Sequence, residues 1–404
     1  MRIIAQKYGG SSVATSDKIR KIAEKIKKRV DEGYKLVVVV SAMGKTTDNL
    51  IKLSEEITVK PSAREMDMLL ATGEQVTIAL LSMALHELAI PAISLTGQQA
   101  GIVTDSVHRK AKIVSIDTER MRREFETHHV VVVAGFQGIN EENQIATLGR
   151  GGSDLSAVAL AAALKTECCE IYTDVDGVFT TDPRVVPNAR QIPVISFDEM
   201  LELASSGAGV MQARSIECGK KYNQPIWVRS TFSDNPGTLI KEEDETMEKV
   251  IIRGIALDKK EAKVTLKSVP DRPGIAAEIF SKICERNINV DMIVQNSSSN
   301  GTTDVSFTAP KEDLPVMMEA AREISREIGS GDVDINPSIA KVSVVGIGMR
   351  SHAGVAAKMF RVLAQNNVNI DMISTSEIKI SVVVPDKDAE KAVRALHDAF
   401  ELEK

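Results

Sequence analysis

The sequence is short of the features that announce several classes of protein. Its four cysteines, Cys168, Cys169, Cys218 and Cys284, show no C-x-x-C spacing, and two of them are adjacent. That pattern suits reduced, mostly buried thiols and argues against a disulfide framework or a cysteine-built zinc site. The histidines, His86, His108, His128, His129, His352 and His397, are scattered without metal-ligand spacing and read as surface or satisfied side chains. Positive charge is not in excess. Fifty Lys and Arg stand against 56 Asp and Glu, a net charge of -6, and no segment is strongly basic, so no nucleic-acid partner is expected. The longest apolar runs, at 36–40, 130–134 and 158–164, fall far short of the roughly 20 residues a bilayer requires, so no membrane contact is expected either. The opening MRIIAQKYGG lacks the apolar core and cleavage site of a secretion signal, which predicts a cytoplasmic location. What the chain has is length and core: 404 residues, 43% of them apolar, enough for two or three domains at about 150 residues each.

Up to about residue 240, short β-branched runs alternate with helical patterns, which predicts α/β architecture around a mainly parallel sheet covered on both faces. Core strands are expected at 3–7, 36–41, 92–95, 130–135, 170–173 and 226–230, and helices at 18–32, 65–86 and 153–164. The charged run KEEDETMEK at 241–249 reads as a linker. Past it the chain repeats. Gly274-Ile-Ala-Ala-Glu-Ile-Phe and Asn287-Ile-Asn-Val-Asp-Met-Ile return 80 residues later as Gly354-Val-Ala-Ala-Lys-Met-Phe and Asn367-Val-Asn-Ile-Asp-Met-Ile. Each copy reads strand-helix-strand-strand-helix. The first can close with a strand at 332–336, whereas the second runs out of chain after its helix at 388–401. A spare strand at 250–257 is expected to complete the second copy, so that the first copy is inserted within it. The expected division is 1–240 for the first domain, 241–249 for the linker, 262–339 for the inserted copy, and 250–261 with 340–404 for the other.

Four loops carry groups able to do chemistry. Lys7-Tyr-Gly9-Gly10-Ser-Ser sits where the first strand ends; its glycines let backbone N–H groups approach an anion, though a plain strand-exit turn explains them as well. Ser41-Ala-Met-Gly44-Lys45-Thr-Thr47 follows the second strand and is not a Walker loop, because Val39 stands where the first glycine would be. Thr147-Leu-Gly-Arg150-Gly151-Gly152-Ser153-Asp154 leads into an alanine-rich helix. It offers an arginine fork and a Ser/Asp pair at a helix N-terminus, suited to a carboxylate or a phosphate, and an ordinary N-cap leaves Arg150 unexplained. Tyr172-Thr173-Asp174-Val-Asp-Gly-Val-Phe179, with Thr-Asp182-Pro-Arg184 after it, puts acids and an arginine at a strand end, part of which an Asp-Gly turn accounts for. Glu74 lies on an otherwise apolar helix and reads as solvent-facing unless it meets an ammonium group.

These loops, in this order, resemble the aspartate kinases of the amino-acid-kinase family, and the doubled tail resembles their paired ACT regulatory domains. The motifs are KYGGSS at 7–12, SAMG at 41–44, ATGE at 71–74, TLGRGGSD at 147–154 and YTDVDGV at 172–178, and the likeness spans essentially the whole chain. The resemblance implies an amino-acid-kinase three-layer α/β sandwich with two ferredoxin-like ACT domains. It also implies phosphorylation of the L-aspartate side chain by ATP with Mg²⁺, giving 4-phospho-L-aspartate, with Lys7 and Asp154 as catalytic residues. Lys7, Gly9, Gly10, Ser41, Thr173, Asp174, Phe179, Asp182 and Arg184 would hold ATP. Thr47, Glu74, Arg150, Gly151, Gly152 and Ser153 would hold aspartate, with Arg150 on its α-carboxylate. No dedicated metal ligands are implied. Lysine and/or threonine would inhibit through Asp271, Gly274, Asn289, Val290, Asp291 and Gln295 in the first copy and Asn369, Ile370, Ser376 and Glu377 in the second. The chain departs from many members at Gly207-Ala208-Gly209, where they have Gly-Ala-Lys. A homodimer or larger assembly through the ACT domains is implied, and Met247 offers a start for a separately translated regulatory subunit. Two other readings stand beside this one: a relative such as glutamate 5-kinase, and an amino-acid-sensing regulatory protein without kinase activity.

Overall fold

A computed structural model describes residues 2–243, 251–296, 301–352 and 354–404. Most of the linker, including Met247, lies outside the described residues. The chain divides into two compact units. The first comprises Met1–Val178, Gln191–Ala204 and Gly209–Met247, and the second Phe179–Arg190, Ser205–Ala208 and Glu248–Lys404.

The first unit is built on an eight-stranded sheet. In spatial order its strands are Val194–Ser196, Thr238–Lys241, Ile226–Ser230, Cys169–Thr173, Ile3–Tyr8, Lys35–Val40, Val130–Ala134 and Ala92–Leu95. The last six run parallel, and they are the six strands legible in the sequence. Their apolar runs are unbroken because both faces are covered, as in KLVVVV, where five of six residues are buried. The other two oppose them: Thr238–Lys241 pairs antiparallel with Ile226–Ser230 and parallel with Val194–Ser196.

On one face lie the helices Ser16–Asp31 and Thr72–Glu87, whose Ile19, Ile22, Ile26, Ile78, Leu81 and Leu85 pack with Leu36, Val38 and Val40. The first starts on a Thr15 cap, whose hydroxyl accepts from the Lys18 N–H, and turns its lysines outward. On the other face Gly152–Leu164 is buried nearly all round, which is why its sequence, GSDLSAVALAAAL, is small and apolar. A second sheet of four short strands, Ile113–Ile116, Ile102–Thr104, Gln137–Ile139 and Ile145–Thr147, is one the sequence did not announce.

The expected helix at 65–86 is two abutting helices, Ala63–Leu70 and Thr72–Glu87. Together they form the one stretch among the described residues that is long and apolar enough to cross a membrane, contrary to the reading from uninterrupted runs. Half of its most apolar window is buried in the protein, and it carries the buried carboxylates of Asp67 and Glu74, so it is packed here as a core helix.

The second unit holds two four-stranded antiparallel sheets, each with two helices. One orders Ile293–Gln295, Thr302–Pro310, Glu261–Pro270 and Val333–Asn336, with helices Ile275–Glu285 and Leu314–Ile328. The other orders Gly254–Asp258, Ile339–Val345, Lys379–Pro385 and Met372–Thr375, with helices Val355–Gln365 and Ala389–Ala399. The repeat is written into the backbone. Gly274 and Gly354 open equivalent helices at φ +92° and +103°, and Asn287 and Asn367 leave them at +56° and +52°. Met292 of one copy packs with Ile339, Met372 and Val383 of the other.

The stretch Phe179–Arg190 also belongs to this unit. Val186 joins the core formed by Val342, Met359, Val382 and Leu396. The Thr180 carbonyl accepts from the Ile255 N–H at 2.7 Å, and the Arg394 guanidinium donates to the Val185 carbonyl at 2.9 Å. His397 is fully buried, lies 3.0 Å from the Thr180 hydroxyl, and has its pKa pushed down by burial.

Leu81→Ala empties a fully buried position between helix and sheet. It is expected to cost about 2–5 kcal/mol, read as a lowered urea midpoint in the fluorescence of Trp227, the chain's single tryptophan. A loss below about 1 kcal/mol would show that this face is not the core.

Candidate active site

The carboxyl ends of the parallel strands are where open α/β sheets place their ligands, and three of the chain's polar loops emerge there, while the fourth follows the strand Ile145–Thr147 of the small sheet. Register does the first part of the alignment. Tyr8 pairs with Val40 on one side and Tyr172 on the other, so the loops beginning at Gly9, Ser41 and Thr173 leave the sheet at one level. The Gly9 N–H donates to the Tyr172 carbonyl at 3.3 Å, the Ser41 N–H to Tyr8 at 3.1 Å, and the Gly44 N–H to Gly10 at 3.0 Å. A Cβ on Gly10 would stand 2.9 Å from the Ala42 carbonyl oxygen, so that glycine is required by the neighbouring loop rather than by chain flexibility alone.

Lys7, pointing off the first strand, meets Asp154 in the first turn of Gly152–Leu164, Nζ to Oδ1 2.6 Å, with both side chains largely enclosed. Gly9 keeps the space beside that ammonium open: a Cβ there would lie 3.3 Å from Nζ. The helix start is seated by close approaches. A Cβ on Gly135 would stand 2.8 Å from the Ser153 side chain, and one on Gly151, at φ +69°, would overlap Gln212. Ser153 is buried, whereas Arg150 is exposed and makes no hydrogen bond or ion pair among the described residues. Thr47 is half-buried on the first turn of Thr46–Ile57.

Glu74 is not solvent-facing, as its sequence context suggested. It is 3% exposed, and its Oε1 accepts from the Ala42 N–H at 3.1 Å. Its Oε2 is buried without a hydrogen-bond partner among the described residues. The cause is the glycine before it, since a Cβ on Gly73 would sit 2.8 Å from that of Ala42. Burial pushes the Glu74 carboxyl up from 4.5 to about 7, against the pull of the Ala42 amide. An enclosed carboxylate with one unpaired oxygen is a ready partner for an ammonium group.

Thr173 and Asp174 stand at the sheet end, the Thr173 hydroxyl donating to Asp174 Oδ1 at 3.2 Å. Phe179, Asp182 and Arg184 follow on the same chain segment, in the stretch that belongs to the second unit, where Arg184 pairs with Asp182 at 2.7 Å and lowers its pKa. Gly209 has open space where a Cβ would stand, so packing does not compel glycine there. Among the described residues no three His, Cys, Asp or Glu side chains gather as a metal cage.

In the second unit, Asp291 pairs with Lys341 of the other repeat, whose ammonium is almost wholly enclosed. Asn289 and Gln295 are exposed on the same segment, with Val290 packed into the first copy's core. Asp271 and Gly274 lie at the start of the first copy's helix, the Asp271 N–H donating to Gly301 at 2.9 Å. In the second copy Asn369 reaches Asp371 at 3.4 Å, Ile370 is part of the core, and Ser376 and Glu377 are exposed in the turn between two strands.

Sequence reasoning missed Asp67, which binds the Thr147 hydroxyl at 2.5 Å and His108 Nδ1 at 2.7 Å. An acid on an apolar helix was the signal available, the same one that drew attention to Glu74.

A family profile of the amino acid kinases matches residues 2–230, and ACT domain profiles match 264–326 and 342–400. The chain is 54% identical over 404 residues to the aspartate kinase of Pseudomonas putida, covering 100% of this chain and 98% of that one. It is 50% identical to aspartokinase 2 of Bacillus subtilis, covering 100% and 99%. Among solved structures it is similar to E. coli aspartokinase III in complex with aspartate and ADP, with TM-score 0.83, 26% identity, and 98% and 99% of the two chains covered.

Because the native Glu74 carboxyl keeps its proton to about pH 7 while the unfolded one loses it near 4.5, stability should fall as pH rises through that window. Glu74→Gln removes the cost of ionising it. The variant is expected to melt higher than the parent at pH 8, with the gain shrinking to near zero at pH 4.5. Equal shifts at both pH values would contradict the assignment.

Proposed function

The chain belongs to the amino acid kinase family, and from that premise we propose that it transfers the γ-phosphoryl group of ATP to the side-chain carboxylate of L-aspartate, under the control of its two ACT domains. The observation that carries the reading is the buried Glu74 oxygen that has no hydrogen-bond partner among the described residues, an acceptor for a substrate ammonium set against the loop that follows the second strand.

The chemistry asks for little proton movement. A side-chain carboxylate with an ordinary pKa of about 4 is already ionised at neutral pH and attacks without a general base. The obstacle is repulsion between two anions, so catalysis is positioning and charge neutralisation. Lys7 supplies a fixed ammonium beside the Gly9-Gly10 loop, whose amides and Ser41 hold the phosphates. Asp154 keeps that ammonium in place at 2.6 Å. Thr173 and Asp174 lie toward the nucleotide. Arg150 takes the substrate α-carboxylate as a bidentate fork, Glu74 takes its ammonium, and Thr47 with the Gly151, Gly152 and Ser153 backbone completes the cradle. Mg²⁺ bound with ATP would neutralise phosphate charge.

Control follows from chain continuity. The segment leaving the sheet at Thr173 runs on into Phe179–Arg190, which is part of the second unit's core. Lysine and/or threonine bound near Asp271, Asn289 and Asp291, or near Asn369 and Ser376, would act on that unit and so on the segment, in an assembly of two or more chains joined through ACT domains.

The test is purified protein with ATP, Mg²⁺ and either aspartate or glutamate, trapping acyl phosphate with hydroxylamine. Aspartyl hydroxamate alone is expected; glutamate turnover points to a glutamate-directed relative, and no product to a sensing protein. Lys7→Ala should lower kcat by about 10²–10³-fold, and Arg150→Ala should chiefly raise the aspartate KM. In the same assay Asp271→Ala should raise the half-inhibitory effector concentration about tenfold, as loss of a charge-assisted contact does. Unaltered inhibition would remove Asp271 from the effector site.

A further inference from the structure

Asp67 is fully buried on the helix Ala63–Leu70 and pairs with no lysine or arginine side chain. A lone carboxylate in such a place costs several kcal/mol of desolvation unless hydrogen bonds replace the lost water, so its partners say what it is for. They converge on one spot. The Thr147 hydroxyl donates to Oδ1 at 2.5 Å, His108 Nδ1 stands 2.7 Å from Oδ2, and the Arg109 N–H donates to both oxygens at 3.2 and 3.1 Å.

Arg109 is held at φ +67°, a left-handed conformation costly for a non-glycine residue, and the Asp67 oxygens on its amide keep it there. Its carbonyl oxygen then lies 2.9 Å from where a Cβ of Gly149 would be, forming a shelf under that glycine, itself at φ +79°. From the far side Arg214 donates to the Leu148 carbonyl at 2.7 Å and to the Ala111 carbonyl at 2.8 Å, and the Ala111 N–H donates to Thr147 at 3.0 Å. Residues 147–149 are therefore clamped on both sides. The next residue, Arg150, has no side-chain partner among the described residues, so its aim is set by the backbone that precedes it.

We propose that Asp67 is a positioning residue for the substrate loop, acting through the Thr147 hydroxyl and the Arg109 amide to fix the direction of Arg150. The proposal rests on the kinase reading above, and its test separates the two.

Thr147→Val keeps nearly the same shape and removes the hydroxyl; it is expected to raise the aspartate KM about tenfold, with kcat and the ATP KM within about twofold. Thr147→Ser restores the hydroxyl and should return the aspartate KM to near the parent value. Asp67→Asn, which loses one acceptor oxygen, should raise that KM in the same direction. The aspartate concentration needed to raise the melting temperature should move in proportion, a readout independent of turnover. If the parent enzyme forms no aspartyl hydroxamate, the kinase reading fails. If the parent is active and Thr147→Val leaves the aspartate KM unchanged, or lowers kcat and both affinities alike without rescue by Ser, the positioning role is overturned. Should Thr147→Val not fold, Thr147→Ser against Asp67→Asn gives the same comparison.

Discussion

The ion pair between Lys7 and Asp154, 2.6 Å long and largely enclosed, joins the central strand of the sheet to the first turn of the helix behind it. Two charges removed from water in this way hold each other to one geometry, because stripping either partner leaves the other uncompensated at a cost of about 3–5 kcal/mol. The pair sets the height of the helix Gly152–Leu164 against the strand Ile3–Tyr8. That height in turn requires glycine at 135, where Ser153 presses on the backbone, and a small-residue helix that can lie flat on the sheet. The loop before Gly152–Leu164 and the Gly9-Gly10 loop are therefore tied through a contact that is electrostatic at its centre and steric at its edge.

Around this centre the first unit places its other charged groups with different degrees of freedom. Glu74 is walled in by the Ala42 loop, and burial raises its pKa against the pull of the Ala42 amide. Arg150 is exposed and takes its direction from a clamped backbone. Under the proposed function this division serves a site that brings two anions together: the buried acid would be preorganised for a cation, and the exposed arginine would close on a carboxylate as it arrives.

The stretch Phe179–Arg190 continues from the sheet strand Cys169–Thr173, yet its Val186 is core to the second repeat and its Thr180 meets His397 on that repeat's last helix. The two repeats are also tied to each other, by the Asp291–Lys341 pair and by the Met292 contact with Ile339, Met372 and Val383. A change in either repeat is thus a change in a body that includes this stretch.

Local information was enough for much of this. Six parallel strands, three core helices, the duplication and the glycine and Ser/Asp loops were legible, because buried strands write unbroken apolar runs and helix starts and phosphate-type turns have residue requirements that act within a few positions. Family likeness of the motifs then carried the chemistry. What the linear chain could not decide is whatever depends on two distant segments meeting. Glu74 read as a solvated acid until Gly73 was seen against Ala42, and Asp67 had no visible role until the fold set it against Thr147 and Arg109. The stretch from Phe179 to Arg190 follows the nucleotide-loop motif in sequence, and only the fold shows that it belongs to the second unit. The physical reason is the same in each case: propensity and periodicity are properties of neighbours along the chain, whereas burial, pairing and pKa are set by neighbours in space.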